Sequence, residues 1–499
     1  MARIGFHHVS ALLLLLAGCS GGDDSTGDGG DVPGGDVDAG DEGGGGGDDG
    51  GGGPGCGFEP SGASGAATVT AGTPVAIVAK TGAAMNQLPT DFHPLPEGRP
   101  GMLARGPCGD VGLIYRDSEP TAGGDPALVY VDLTSGAGTP EVVEPALTRY
   151  GAGVALWFDA DCSPVVLHAA SGGELDEYVR ATDGTWSSSV ASGGLEAVLG
   201  GAPSSVSLEA ASTAADGSWL AVLHATVAGA EHIVHARRAA AAGSAWTFTG
   251  LPALDVAEVQ SWAAAADGSV HAVYTNTEYP CDPCNMDLYY GRVAAGGAWT
   301  TETVQAGRWG DPNDEFSTNA ALIVDASGAP WIAATFQTRV VTGSLTGSEL
   351  RFYGKRGGEW CSETVAEHSD GYAGGDGAVF TGEAPQLALD GSGRFHIVFG
   401  DVSQWHDGTG ANDVPGQVRY AVRTGTAWSL ATLFDQPGQT ESPRPLHAFD
   451  SPVLAVSPDG ADVRVAGVER VWDTDSIYNS TEMPVTLRLL AIEADITLP

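Results

Sequence analysis

One short pattern recurs seven times along the chain, and this repetition constrains the fold more than any other feature. In each unit a tight turn rich in Asp and Gly precedes a short run of β-branched and other apolar residues. The turns lie at Gly109-Asp110, Asp161, Asp216-Gly217, Asp267-Gly268, Asp325, Asp390-Gly391 and Asp459-Gly460. The runs that follow them are residues 111–115, 164–168, 219–224, 270–274, 330–334, 395–399 and 463–467. Short apolar runs bounded by turn residues are typical of β-strands.

A second repeated element is a Gly-x-x-Trp turn between two further strands. It occurs at Gly243-Trp246, Gly296-Trp299, Gly357-Trp360 and Gly425-Trp428, with a version one residue shorter at Gly184-Trp186. Four short strands per unit, repeated around a ring, is the pattern of a β-propeller. The sequence therefore predicts an all-β propeller over residues 56–499, with seven four-stranded blades.

The blade count has alternatives, because the first unit lacks the Trp turn; six or eight blades also fit the sequence. The apolar stretch 67–79 precedes the first unit and is expected to form one or two strands. If this stretch pairs with the last blade, the ring closes without an exposed sheet edge.

These turns resemble those of the BNR, or Asp-box, propellers of the sialidase superfamily. The Asp-box pattern is Ser-x-Asp-x-Gly-x-x-Trp, and this chain keeps only its second half: Arg292 and Ala294 stand where Ser and Asp would precede Trp299. The resemblance implies a propeller over residues 65–499. Sialidases also use an arginine triad with a Tyr and Glu pair, and no positions here match those roles. A sialidase-like, glycan-processing hydrolase is therefore an alternative function.

The N-terminus is predicted to be a targeting segment followed by a tether. Residues 1–18 combine Arg3 with an apolar run too short to span a membrane, which is typical of a signal peptide. The sequence Leu16-Ala17-Gly18-Cys19 resembles the bacterial lipobox, which implies cleavage before Cys19, lipidation of its thiol and a membrane anchor. By the same resemblance, Ser20 favours the outer membrane, facing the periplasm or the cell surface. Residues 19–55 are rich in Gly and Asp without Lys or Arg, so we expect a disordered tether.

Six cysteines remain besides Cys19, an even number that suggests disulfides in an exported protein. Cys281 and Cys284 form the one local pair, and we expect them to be oxidised rather than to bind zinc. Cys108 and Cys162 occupy corresponding places in successive units and are candidates to join neighbouring blades.

Propeller strands alternate in direction, so the tight turns share one face and the longer connections share the other. Long loops on a rigid scaffold are where binding usually occurs. Aromatic and polar residues in these loops would suit stacking on sugar rings; the candidates are Trp309, Trp405, His406, Trp472 and Tyr478. Weak candidates for Ca²⁺ are Asp407, Asp413, Asp473 and Asp475. His168 and His224 end equivalent strands, where local hydrogen bonding is the usual role and ligand contact the alternative.

The net charge and the catalytic motifs that the sequence lacks reduce the number of possible functions. The chain has 22 Lys and Arg against 63 Asp and Glu, a net charge of −41, which excludes nucleic acid as a partner. Residues 56–499 contain no G-x-S-x-G, P-loop or H-E-x-x-H sequence, so the sequence favours a non-catalytic role without excluding an enzyme. We expect a membrane-anchored envelope lipoprotein that presents a binding face to a glycan or a protein. A structural component of an envelope assembly is the further alternative.

Overall fold

The computed structural model describes part of the chain, and all of it lies in the compact unit Gly55–Pro499. The described residues are 58, 65–81, 102–117, 126–136, 138–145, 147, 153–170, 172–241, 243–256, 258–275, 286–307, 313–340, 345–367, 378–404, 417–435, 446–472 and 486–498. The predicted signal peptide (1–18), the lipidated Cys19 and the tether (19–55) lie outside these residues.

The described strands form seven antiparallel sheets, which are the blades of a propeller. Blades 1 to 3 consist of β3 (Leu103–Arg105), β4 (Val111–Asp117), β5 (Ala127–Asp132) and β6 (Glu141–Glu144); β7 (Val154–Phe158), β8 (Pro164–Ala169), β9 (Leu175–Arg180) and β10 (Trp186–Val190); and β11 (Ser205–Thr213), β12 (Trp219–Val227), β13 (Ala230–Arg238) and β14 (Thr247–Pro252).

Blades 4 to 6 consist of β15 (Glu258–Ala264), β16 (Val270–Thr275), β17 (Leu288–Val293) and β18 (Thr300–Gln305); β19 (Asn313–Val324), β20 (Pro330–Val340), β21 (Leu345–Arg356) and β22 (Glu359–Glu367); and β23 (Ala378–Leu389), β24 (Phe395–Gln404), β25 (Gln417–Thr424) and β26 (Ala427–Asp435). Blade 7 combines β27 (Leu446–Val456), β28 (Asp462–Trp472) and β29 (Thr486–Thr497) with β1 (Thr68–Ala71) and β2 (Val75–Thr81).

The first strands of neighbouring blades contact one another in an unbroken cycle, from β3 through β7, β11, β15, β19 and β23 to β27 and back to β3. They therefore line the centre of a closed ring, and the prediction of seven four-stranded blades is confirmed. Apolar side chains from facing sheets fill the space between blades: Val165 and Leu167 of blade 2, for example, pack with Leu223 and Val234 of blade 3.

The ring is closed by strands from both ends of the chain. Both β1 and β2 pair antiparallel with β29, with Thr68 opposite Thr497 and Val75 opposite Ala491. The predicted pairing of the early strand with the last blade is therefore confirmed. Among the described residues the main helical element is α1 (Leu195–Leu199), a single short turn between blades 2 and 3. No described helix has the length and apolar character that a membrane crossing requires.

The Gly-x-x-Trp turns connect third to fourth strands, as predicted, and in blades 3 to 6 the indole N–H of the turn tryptophan donates to the blade before it. The indole N–H of Trp360 in blade 5 donates to Glu302 of blade 4 at 3.0 Å, and Lys355 donates to the same carboxylate at 2.7 Å. Trp428 and Arg423 of blade 6 repeat this arrangement on Glu363 of blade 5. A cation and an indole from one blade thus share an acid of its neighbour.

A disulfide joins Cys108 in the first turn of blade 1 to Cys162 in the corresponding turn of blade 2. The expectation that these cysteines join neighbouring blades is confirmed. Cys162 has a φ of 65°, in a turn position that Gly217, Gly268 and Gly328 occupy in other blades with φ of 78°, 87° and 84°. The cysteine therefore adopts a left-handed conformation that costs roughly 1 kcal/mol for a residue with a Cβ.

Candidate functional site

The propeller has two chemically different faces. We call turn face the side that carries the tight connections between first and second strands, at residues 106–110, 159–163, 214–218, 265–269, 325–329, 390–394 and 457–462. We call loop face the opposite side, which carries the connections between second and third strands and between blades. Because all strand pairs in a blade are antiparallel, the third-to-fourth turns also belong to the turn face.

Hydrogen bonds within the turns engage many of the turn-face carboxylates. In the blade 6 turn, the Asp390 N–H donates to the Arg394 carbonyl at 3.0 Å, and the Gly393 N–H donates to the Asp390 carbonyl at 3.1 Å. The Asp216 carboxylate of blade 3 accepts from the Ser218 N–H and from Arg237. Hydrogen bonds from the Ser218 hydroxyl and N–H hold the pKa of Asp216 below its usual value. The acids of these two turns are therefore held by groups of their own blades.

Most of the loop-face candidates lie outside the described residues. They are Cys281, Cys284, Trp309, Trp405, His406, Asp407, Asp413, Asp473, Asp475 and Tyr478. Trp472 is the last residue of β28, at the loop-face end of blade 7, and only its backbone is described. The aromatic platform and the calcium site that these residues suggest thus stay predictions.

His168 is the most unusual described residue of the loop face. It lies at the end of β8, opposite Val154 on β7 and Asp176 on β9. The side chain is 1% exposed, and within the described part of the chain neither ring nitrogen has a hydrogen-bond partner. Burial, and then the charge of Arg116, lowers the pKa of His168 to about 4. Our expectation of local hydrogen bonds is therefore wrong for His168, which is buried, neutral and unpartnered.

Arg116 of blade 1 and His168 of blade 2 face each other because successive side chains of a strand alternate between its two faces. Val166 packs with apolar residues of blade 1, so His168, two residues further on, faces blade 1 as well. A Cβ at Gly112 would meet Leu156 and Phe158 of blade 2, so Arg116, four residues further on the same strand, faces blade 2. The two side chains therefore meet at the interface between blades 1 and 2.

Two carboxylates complete this interface cluster. Glu144 ends β6 and Asp176 lies near the start of β9, and both are half-buried. Burial, and then the charge of Asp176, raises the pKa of Glu144. Burial and the charges of Glu144 and Asp176 raise the pKa of Tyr178, which places all three groups in one electrostatic neighbourhood. We call Arg116, Glu144, His168 and Asp176 the interface cluster.

Two other blades carry polar groups at the same face. In blade 6, Arg419 donates to Asp401 at 2.8 Å, and burial nevertheless raises the pKa of Asp401. In blade 3, the ring of His224 lies 3.7 Å from the Glu231 carboxylate, and the side chain is about one-third exposed. His224 thus has the local partner that His168, at the equivalent strand end, lacks.

Among the described residues, one set of three groups could hold a metal ion: Cys108, Asp110 and Cys162 on the turn face. Because the two sulfurs form a disulfide, neither is available as a thiolate ligand. No calcium or other metal site is therefore assigned to the described part of the chain.

The sequence matches no protein-family model and no curated protein. Among solved structures it is similar to the polysaccharide lyase Uly1, with 11% identity and a TM-score of 0.43 over 80% of this chain and 90% of the lyase. It is also similar to an ulvan lyase bound to a glucuronate–sulfated rhamnose segment, with 12% identity and a TM-score of 0.39 over 79% and 94% of the two chains. A third is the six-bladed, fucose-recognising lectin of Aleuria aurantia, with 11% identity and a TM-score of 0.32 over 67% and 93%. These similarities concern architecture alone.

Sequence reasoning singled out His168 but missed Arg116, Glu144 and Asp176. It looked for function in the loops, whereas these three side chains occupy strand ends. Part of the signal was present, since Arg116 and Asp117 close the otherwise apolar strand β4 on the loop-face side.

Proposed function

We propose that this protein is a lipid-anchored, extracytoplasmic β-propeller that binds a glycan through its loop face. The anchor is Cys19, the membrane is the outer membrane of a bacterial envelope, and the tether 19–55 separates the anchor from the propeller. The sequence Leu16-Ala17-Gly18-Cys19 and Ser20 support this part of the proposal. Nucleic acid is not a partner, because the net charge is −41.

The observation that carries glycan binding is the buried, unpartnered imidazole of His168 at the loop face. On the turn face, carboxylates such as Asp216 and Asp390 are held by hydrogen bonds from their own turns. On the loop face, His168 is buried with both ring nitrogens unpartnered, opposite Asp176, and the charge of Asp176 adds to burial in raising the pKa of Glu144. Buried polar groups without partners and carboxylates of perturbed pKa concentrate at functional sites.

Loop residues named from the sequence would supply the rest of the binding surface. Trp309, Trp405, Trp472 and Tyr478 would stack on sugar rings, and His406 would add a hydrogen bond. Asp407, Asp413, Asp473 and Asp475 would hold a Ca²⁺ ion if the loops bring them together. A protein ligand, in a structural envelope assembly, is the alternative use of the same surface.

A second candidate function is glycan hydrolysis, favoured by the composition of the interface cluster. It combines Arg116 with two carboxylates, Glu144 and Asp176, whose ionisation is coupled. Glycosidic cleavage uses two carboxyl groups, one of them a general acid of raised pKa. Glu144 has the direction of shift that a general acid requires.

A glycan array probed with the full mature protein, with hydrolysis assays in parallel, tests both candidates. Binding to a defined set of glycans without products supports the binding role, and release of reducing sugars supports the hydrolase. An array with no signal at all contradicts both.

The anchor has its own test. We expect wild-type protein in the detergent phase with a lipid adduct on Cys19, and Cys19→Ala protein in the soluble fraction. Membrane retention of wild-type protein without an adduct contradicts lipidation at this residue.

A further inference from the structure

The disulfide between Cys108 and Cys162 on the turn face has a carboxylate beside it. The two Sγ atoms and a carboxylate oxygen of Asp110 all lie within 4.8 Å of one another. Cys108 is exposed, and Asp110 and Cys162 are half-buried. A reductant or a metal ion can therefore reach these three groups from solvent.

Asp110 differs from the acids of other turns on this face. In blades 3 and 4 the carboxylates of Asp216 and Asp267 accept hydrogen bonds from the N–H groups of Ser218 and Ser269. The carboxylate of Asp110, in contrast, has no hydrogen bond or ion pair within the described part of the chain. It can therefore coordinate a cation without breaking a contact of the fold.

Reduction of the disulfide turns the three groups into metal ligands. Two electrons from a dithiol break the S–S bond; the dithiol becomes a disulfide, and its two protons pass to the sulfurs of Cys108 and Cys162. A metal ion then displaces both thiol protons and binds the two thiolates. In a tetrahedral zinc site, bonds of about 2.3 Å to sulfur and about 2.1 Å to oxygen place the ligand atoms about 3.6 to 3.8 Å apart. Small side-chain rotations reach this spacing, because the three groups already lie within 4.8 Å of one another.

The ligand set determines which metal fits. Thiolates favour zinc and other soft ions over calcium and magnesium, which prefer oxygen ligands. Two thiolates and one carboxylate carry three negative charges, and a water molecule can take the fourth position of a tetrahedral zinc ion.

We infer that Cys108, Asp110 and Cys162 form a zinc site when their disulfide is reduced. The disulfide and the zinc ion are then two alternative links between blades 1 and 2, and the oxidised protein binds no zinc through these sulfurs. This inference depends neither on glycan binding nor on the lipid anchor.

Alkylation of the reduced, full mature protein tests the inference one cysteine at a time. The protein is reduced with a phosphine, which adds no competing thiol, and is treated with iodoacetamide over a range of Zn²⁺ concentrations. Peptide mapping distinguishes Cys108 and Cys162 from the other cysteines, which are reduced at the same time. We expect Zn²⁺ to protect both residues from alkylation. It should also raise the melting temperature of the reduced protein, because a metal that binds the folded state stabilises it.

The variant Asp110→Asn keeps every cysteine and removes only the carboxylate ligand. Loss of a group that merely orients a metal ligand costs roughly 10- to 100-fold in affinity. Loss of a ligand should therefore raise the Zn²⁺ concentration needed for protection about tenfold or more. The matched control is Asp183→Asn, also on the turn face of blade 2, whose carboxylate is held by Thr185 and lies outside the site; it should need the wild-type concentration.

Alkylation of Cys108 and Cys162 at the same rate with and without Zn²⁺ overturns the site. Equal protection in Asp110→Asn and the wild type overturns the three-ligand arrangement. If the reduced protein unfolds without metal, Zn²⁺ is added before the reductant: protection of the two cysteines then supports the site, and alkylation of both overturns it.

Discussion

The indole N–H of Trp246 in blade 3 donates to the carboxylate of Glu177 in blade 2 at 2.7 Å. Arg238 of blade 3 lies 3.2 Å from the same carboxylate, and its side chain is 3% exposed. The guanidinium also stacks 4.3 Å from the ring centre of Trp219. The Trp246 turn therefore holds two blades together through one buried acid, as Trp360 and Trp428 do elsewhere in the ring.

We expect Trp246→Phe to lower the free energy of unfolding by about 2 kcal/mol, because a buried carboxylate loses a hydrogen bond. Urea denaturation of the full mature protein measures this change. The control is Trp299→Phe, whose indole donates to the Pro252 carbonyl at an exposed position, and it should cost less. Equal losses in the two variants would show that the Glu177 hydrogen bond adds nothing beyond the packing of the ring.

The disulfide between Cys108 and Cys162 allows a second stability test. The cysteines are 54 residues apart, and closing a loop of this length stabilises a fold by about 4 kcal/mol. The free energy of unfolding of the double variant Cys108→Ala/Cys162→Ala should be lower than that of the wild type by about 4 kcal/mol. Cys108→Ala/Cys162→Gly should lose about 1 kcal/mol less, because glycine adopts the φ of 65° found at position 162 without strain. Equal stability of the two double variants would contradict the strain assigned to Cys162.

A third prediction concerns the remaining disulfides. Cys361 is disulfide-bonded, and its partner is one of four cysteines outside the described residues: Cys19, Cys56, Cys281 or Cys284. Phe58 and Cys361 belong to one apolar cluster, and Cys361 pairs with Gly354, where a Cβ would lie 3.0 Å from the Phe58 ring. Two residues span roughly 7 Å, so we expect Cys56 to be the partner.

This assignment leaves Cys281 to pair with Cys284, as the sequence predicts, and Cys19 for the lipid. Peptide mapping of the exported protein without reduction should find a peptide linking Cys56 to Cys361. A link from Cys361 to Cys281 or Cys284, or free thiols at those two positions, would contradict the assignment.

The buried histidines make stability depend on pH. Unfolded histidine titrates near pH 6.5, whereas burial and nearby Arg116 lower the pKa of His168 to about 4. Between these values the unfolded state binds more protons, so stability is complete above pH 6.5 and falls as the pH drops toward 4, by about 3 kcal/mol for this residue. Burial, followed by the charge of Arg292, lowers the pKa of His271 to about 4, and it acts in the same direction.

Urea denaturation at a series of pH values measures this effect. Between pH 7 and pH 4.5 the free energy of unfolding of His168→Gln should fall by less than that of the wild type. Parallel curves for His168→Gln and the wild type would show that His168 is not held neutral by the fold.

The architecture could be predicted from the sequence because each blade repeats local signals. A left-handed turn residue, an Asp or Ser beside it and a Trp at a fixed offset recur in the chain, and each has a local physical reason. The interface cluster could not be predicted in the same way. Arg116 and His168 are 52 positions apart and meet only because both strands place them on facing sheets, so no spacing in the sequence reports their contact.

The central claim is that the protein binds a glycan through its loop face. Titration of one glycan into two double variants, one altered on each face, tests this claim most directly. Trp405→Ala/Trp472→Ala alters the loop face, whereas Asp216→Ala/Asp267→Ala alters the turn face, where both acids lie beside exposed arginines. We predict that the tryptophan variant binds about tenfold more weakly or worse, since each stacking contact contributes on the order of 1 kcal/mol, and that the aspartate variant binds as the wild type does. Lost affinity in the aspartate variant with full affinity in the tryptophan variant would contradict the account.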